Sequence, residues 1–281
     1  MEGKEKIALI IKKTLLRSQF YYGPEQFTEN CFCFGHFINP RAPDLAVGIS
    51  LPPHRGNLVI LTQKNGRYIT EHAVTGIGFV EDMEVVRLFP GALDQLALNL
   101  YGGGSDWEHW GKDIYRWDGK AMRLIWAWIR EDVFKRWPNP HGEGVGTRVR
   151  GEISLDGSNR DGVKEVVTSD TVEECVFSDD TEMAKVVSRR ETKRIHRWDE
   201  SLFYFVYEYG EIVAPSITAQ CTEGIPQKET SKILTEGTRV GILEPPGYFK
   251  FETEVYHAVI GKECFCEIPK SAVRLLNEGS Q

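Results

Sequence analysis

Two stretches of this chain open the same hairpin. Ile114-Tyr115-Arg116-Trp117-Asp118-Gly119 matches Ile195-His196-Arg197-Trp198-Asp199-Glu200 position by position, each after a charged strand start and before an apolar run. Tryptophan is rare, so a shared Ile-x-Arg-Trp-Asp in the same setting reads as one repeated unit. Strand-forming runs around an Asp-led turn give antiparallel pairing. A lone hairpin cannot bury both faces, so neighbouring copies must pack beside one another. The repeat sets one expectation above all: both hairpins bury their indoles between neighbouring sheets.

Ile60-Leu61-Thr62-Gln63-Lys64-Asn65-Gly66 keeps the strand–turn–strand form without the Arg-Trp. Upstream of each copy an acidic residue introduces an apolar strand: Asp44-Leu45-Ala46-Val47, Asp94-Gln95-Leu96-Ala97-Leu98 and Glu165-Val166-Val167. From about residue 30 onward, short runs of Val, Ile, Leu and aromatic residues alternate with Gly, Pro, Asn and Asp clusters, the texture of a β-protein. Residues 102–111 read as a Gly- and Trp-rich loop, and 173–191 as an acidic stretch of uncertain form. Before residue 30, Ile7, Ile10, Ile11, Leu15 and Leu16 recur near helical spacing, which predicts a short amphipathic helix over 4–20.

These pieces resemble the FG-GAP or VCBS repeat of integrin-like β-propellers, over roughly residues 30–210. Gly35-His36-Phe37-Ile38-Asn39-Pro40-Arg41-Ala42-Pro43-Asp44-Leu45-Ala46-Val47 is similar to that family's Asp-rich loop and strand, and the Arg-Trp-Asp-Gly hairpin to a blade's outer strands. The resemblance implies Ca²⁺ between alternating carboxylates in that loop. In the first copy His36, Ile38 and Pro40 replace the oxygen ligands, and the second copy lacks such a loop. Calcium needs six to eight oxygens, so neither holds it. The third copy offers Asp156, Asn159, Asp161 and Glu165 around Gly157 and Gly162. Two readings stand there, a weak Ca²⁺ site and a polar turn closed by Asx hydrogen bonds, and the register of the first half favours the turn. Three candidate copies imply an incomplete or small β-propeller-like array, since closure takes four blades or more.

Residues 211–230 read as a linker. Residues 231–281 are similar to bacterial Src-homology-like barrels, with strands at 237–243, 255–260 and 264–268 and a last turn and strand over 270–276. The fold class is thus mainly β: antiparallel sheets in a propeller-like array over 30–210, a small C-terminal β-barrel, and an N-terminal helical segment over 1–29.

Six cysteines occur, among them the pairs Cys31/Cys33 and Cys264/Cys266. A chain of 281 residues that is 41% hydrophobic has core enough to stand without a disulfide framework. A four-thiolate metal site from both pairs is set against the wider cysteine spacing of structural zinc motifs. Buried thiols, Cys175 and Cys221 among them, are the expectation. The net charge of −7 argues against a nucleic-acid partner, which needs a basic face. No apolar run approaches the roughly 20 residues of a membrane span. The apolar stretch Ile7–Ile11 is too short for a signal-peptide core, so a native start at Met1 implies the cytoplasm, whereas the family resemblance implies an extracytoplasmic place.

No nucleophile elbow, P-loop, zinc-protease helix or dinucleotide fingerprint appears, and no catalytic residue is assigned. The constellation that carries chemistry is Asp106, Trp107, Glu108, His109 and Trp110, with Trp126, Trp128 and Trp137 following. Indoles beside carboxylates bind sugars by stacking and hydrogen bonding, and two carboxylates can hydrolyse them. The competing reading has the tryptophans folded back as packing. The sequence therefore predicts a non-enzymatic binding or scaffolding protein that uses its blade loops, near 102–111 and 138–146, to contact a protein or glycan. A carbohydrate-binding or carbohydrate-active protein is the alternative.

Overall fold

A computed structural model describes residues 29–51, 55–104, 107–136, 144–158, 162–178, 181–224, 228–243 and 254–276. Nineteen strands and one 3-10 turn make up the regular structure of these residues, with no α-helix among them. The expected N-terminal helix lies outside the described residues. No described helix is long and apolar enough to cross a membrane.

The strands form three antiparallel sheets, none closed into a barrel. The first is a meander of β1 (Glu29–Gly35), β2 (Asp44–Leu51), β3 (Arg55–Lys64) and β4 (Arg67–Ile77). The second continues as β5 (Phe79–Val86), β6 (Gln95–Gly103), β7 (Trp107–Trp117), β8 (Met122–Arg136), β9 (Gly144–Ser158), β10 (Lys164–Ser178), β11 (Thr181–Asp199) and β12 (Tyr204–Val206), each strand beside its chain neighbour. The third holds β13 (Glu208–Ile212), β14 (Ser216–Glu223), β15 (Lys228–Thr235), β16 (Arg239–Ile242), β17 (Val255–Gly261), β18 (Cys264–Pro269) and β19 (Val273–Leu276), in the order β15-β14-β18-β17-β16-β13-β19. A 3-10 turn over Lys270–Ala272 precedes β19. Residues 211–230, expected as a linker, thus carry β14 and parts of β13 and β15. The alternation in Ser-Ile-Thr-Ala-Gln-Cys-Thr-Glu, with Ala219 and Cys221 buried, is a half-buried strand that its polar composition masks.

The chain divides into two compact units, Met1–Gly102 with Lys112–Arg123, and Gly103–Gly111 with Leu124–Gln281. In the first, β2 is buried from Asp44 to Ser50 because both of its faces are covered. Leu45, Val47, Ile49, Val59 and Leu61 form the core on one face. On the other face β5 approaches closely. A Cβ at Gly48 would lie 2.7 Å from Val80 Cγ1 and 2.9 Å from Met83 Cε, so glycine is what lets the layers meet. Ser50 Oγ and the Val80 backbone exchange two hydrogen bonds across this contact, at 3.0 and 3.1 Å. The β3–β4 reversal uses Asn65 and Gly66 at φ 54° and 75°, as an Asn-Gly hairpin requires.

The acidic residues that introduce strands are anchors. Asp44 Oδ2 accepts the Ile38 and Asn39 N–H groups at 2.7 and 3.1 Å. Asp94 Oδ2 accepts the His36 N–H at 2.8 Å, while Oδ1 takes Arg87 Nε at 2.8 Å. Burial pushes the Asp94 carboxyl up, but the His36 N–H and Arg87 more than offset it and hold it below the usual carboxylate range.

The two matching hairpins share one turn chemistry. Asp118 Oδ1 accepts the N–H groups of Lys120 and Ala121 at 2.7 and 2.8 Å. Asp199 Oδ1 accepts those of Ser201 and Leu202 at 2.9 and 3.1 Å. The indoles depart from expectation: Trp117 and Trp198 are both half-buried, not enclosed between sheets. Trp117 meets the edge of His72 at 5.9 Å. Trp198 lies against Phe203 and Phe205 and donates its N–H to Glu200 at 2.7 Å. Ile114 is fully buried but Ile195 is 38% exposed, so the turns are equivalent and the strand surroundings are not.

Each shared aspartate closes its turn with a charged acceptor, an interaction on the order of 1.5–3 kcal/mol. Asp118→Ala and Asp199→Ala are each expected to lower stability by about that amount in denaturant titrations. Desolvation raises the Asp199 carboxyl, but bonds from Ser201, Leu202 and Tyr209 hold it low overall. Its contribution is complete above the unfolded carboxylate range near pH 4 and fades as pH falls through the lowered folded value. The Asp199→Ala penalty should therefore shrink in acid.

Candidate functional site

Trp107 begins a strand that the sequence disguises as a loop. The glycines at 102 and 103 still belong to β6, and Gly104 N–H donates to Trp107 O at 2.6 Å. On β7, Trp107 and His109 share one face, with Glu108 and Trp110 on the other. The structure thus splits the expected constellation: Glu108 is exposed, and Asp106 lies outside the described residues.

The partner of Trp107 is a residue that the sequence reading missed. Its indole N–H donates to the carboxylate of Asp132 on β8. The Trp107 ring stacks on His109 at 5.7 Å and 19°, leaving both rings half-buried. Asp132 itself is 7% exposed. Its Oδ1 is covered from solvent and has no hydrogen-bond partner among the described residues. Burial pushes this carboxyl up to about 6 against the bond from Trp107. Burial also lowers the His109 imidazole, which is therefore neutral near pH 7. The result is an aromatic platform whose indole is anchored at its N–H edge by an acid.

A second indole–carboxylate pair lies on β8 to β11, also unforeseen. Trp128 Nε1 donates to Asp170 Oδ1 at 2.8 Å, and Arg194 Nη1 to Asp170 Oδ2 at 2.8 Å. A Cβ at Gly151 would lie 2.3 Å from Ile129 O and 3.1 Å from Asp170 Oδ1, so glycine is what lets the Ile129 carbonyl approach β9 beside the carboxylate. His196 packs edge-on to Trp128 at 4.7 Å and hydrogen-bonds Thr168 Oγ1 at 3.2 Å. Burial, with Arg194 nearby, pushes His196 down to about 3, so it stays neutral. Tyr207 completes the cage, 5.4 Å from His196 and 5.1 Å from the Arg194 guanidinium. Both Asp170 oxygens are engaged and its side chain is fully buried, so this network is a structural core. Trp126, wholly buried and 6.3 Å from Trp128, belongs to it.

Of the calcium candidates, the backbones of Asp156 and Glu165 pair across β9 and β10, and Asn159 and Asp161 lie outside the described residues. Glu165 Oε1 is 2.9 Å from Arg197 Nε, so that oxygen already serves an ion pair. In the third sheet a cavity of about 430 Å³ has Phe265 and Leu243 as apolar lining, with Gln220, Thr222, His257 and Glu267 around them. Glu267 and His257 approach to 4.0 Å.

Asp132 is costly to keep charged. Its folded-state value lies above the unfolded one, so the penalty is absent below about pH 4, grows across the interval to about 6, and is complete at pH 8. Asp132→Asn is expected to gain roughly 1–3 kcal/mol on wild type between pH 4 and pH 8, measured by urea unfolding at both. A difference that does not change with pH would remove Asp132 as the buried acid.

No protein-family model matches this chain, and no curated protein matches it in sequence, so its function is read from the geometry of these residues alone.

Proposed function

We infer that this chain is a non-enzymatic binding protein whose contact surface is the Trp107–His109 platform, and that its ligand is a carbohydrate. One observation carries the reading: a half-exposed indole stacked on a neutral imidazole, held at a fixed angle by a buried carboxylate. Such a surface is pre-organised, so a ring that lands on it orders little further. The flat apolar face of a pyranose suits an indole, and hydroxyls at its rim can bond to polar side chains.

Catalysis fits less well. Glycoside hydrolysis takes two carboxylates facing one bond. Asp132 has its open oxygen covered, and Glu108 points to the other side of its strand.

The four-stranded meander, the matched Asx turns and the buried acids at strand starts support a propeller-like array of blades resembling FG-GAP repeats, without the calcium set in the first loop. The strand succession β13-β16-β17-β18, with a 3-10 turn before β19, supports a Src-homology-like module, its hairpin β14–β15 inserted after the first strand. Both are propeller- or barrel-like without closure among the described sheets. Weak Ca²⁺ binding at Asp156, Asn159, Asp161 and Glu165 is the minor element of this reading.

A thermal-shift screen against mono- and oligosaccharides, followed by calorimetry on any hit, tests the function. Trp107→Ala is expected to weaken binding at least about tenfold, the scale of one lost stacking partner, while Glu108→Gln leaves it unchanged. Binding that survives Trp107→Ala, or no response to any sugar, would overturn the carbohydrate reading. Sugar hydrolysis lost with Glu108→Gln would overturn the non-enzymatic one.

A further inference from the structure

Strands β14 and β18 pair so that Cys221 faces Cys266 and Glu223 faces Cys264. Opposed residues of an antiparallel pair project to the same side. Four side chains that can ligate a metal therefore form a two-by-two square on one face of the third sheet. The sulfurs of Cys221, Cys264 and Cys266 all lie within 4.8 Å of one another, and all three residues are buried. Cys221 and Cys266 are joined as a disulfide. Cys264 is a free thiol that hydrogen-bonds the Glu223 carboxylate. Glu223 Oε1 in turn lies 2.6 Å from Lys232 Nζ on β15.

This corrects two expectations at once. The chain does form a disulfide, despite its ample core. Its cysteines also do not group by their Cys-x-Cys pairs: Cys264 and Cys266 are joined by Cys221, whereas Cys31 and Cys33 belong to β1.

A disulfide that served only as a staple would need two sulfurs. A third sulfur with a hydrogen-bonded carboxylate beside it is the donor set of a tetrahedral thiolate site. Zinc–sulfur bonds of about 2.3 Å place tetrahedral sulfurs about 3.8 Å apart, within the span seen here. Soft thiolates select zinc and its neighbours over calcium or magnesium.

We propose that the reduced form of this cluster binds a thiophilic divalent cation, Zn²⁺ foremost, through Cys221, Cys264, Cys266 and Glu223, and that the disulfide is its closed, metal-free state. The opening step is exchange with a dithiol. Two electrons and two protons pass to Cys221 and Cys266, the S–S bond between them breaks, and the dithiol leaves as its own disulfide. The cation then displaces three thiol protons and forms three metal–sulfur bonds and one metal–oxygen bond. Three thiolates and a carboxylate leave a divalent site at a net charge of −2, and the Lys232 ammonium beside Glu223 offsets part of it.

The test uses the full chain with Cys31→Ser, Cys33→Ser and Cys175→Ser, so that only the cluster's sulfurs remain. The protein is reduced with dithiothreitol, desalted without oxygen and titrated with Co²⁺ as an optical probe. The expected result is a thiolate-to-cobalt charge-transfer band that saturates at one equivalent, is displaced by Zn²⁺ and is absent from the oxidised protein. Cys264→Ser should weaken Co²⁺ at least about 100-fold, while non-reducing mass spectrometry still finds the Cys221–Cys266 bond. No band in folded, reduced protein, or a band indifferent to Cys264→Ser, overturns the proposal. Where reduction alone unfolds the third sheet, the readout is circular dichroism. Zn²⁺ should then restore the spectrum with Cys264 present and fail with Cys264→Ser, and failure in both overturns it.

Discussion

A sheet that reverses direction again and again must pair every buried N–H at each reversal, and here aspartate does much of that pairing. Asp44, Asp94, Asp118 and Asp199 all turn a carboxylate onto backbone N–H groups at the start or end of a strand. Charged acceptors make the stronger class of hydrogen bond. A short acid also leaves the next residue free to begin an extended run. The registers of the first two sheets rest on these anchors, because a slip of one residue would carry the apolar set of β2 or β6 to the wrong face.

Those anchors explain why much of the fold was legible. Asp before an apolar run, Asn-Gly and Asp-Gly at reversals, and the doubled Ile-x-Arg-Trp-Asp all report local backbone chemistry, which sequence carries directly. The failures share a cause too. Residues 173–191 looked acidic and formless because most of β11 from Lys185 to Arg194 is exposed, so its strand has no buried face to write an apolar alternation. The stretch at 216–223 hid because its inward residues are small, Ala219 and Cys221. Glycines at 102 and 103 looked like a loop because composition cannot tell a strand end from a turn.

Of the candidate site, the aromatic side was visible in the sequence and the acidic side was not. The sequence marked the tryptophans but not the carboxylates that bond them. The acids are Asp132 and Asp170, however, far from the tryptophans in sequence or set on other strands, and Glu108 next door faces away. Adjacency in sequence puts neighbours on opposite sides of a strand, so the partners come from other strands, β8 for Trp107 and β10 for Trp128. The same rule hid the sulfur cluster, whose members meet through the pairing of β14 with β18.

The strand orders also set a timetable for folding. In the first two sheets every strand pairs with the one just before or after it, so each hairpin can close as soon as its second strand exists, at small loop-closure cost. The third sheet cannot do this. β13 needs β19, and β14 needs β18, so its edges stay open until the chain has been made as far as Leu276. The first two sheets can thus assemble during synthesis while the third is still gathering. Cys221 and Cys266, 45 residues apart in sequence, cannot pair until β18 has been made.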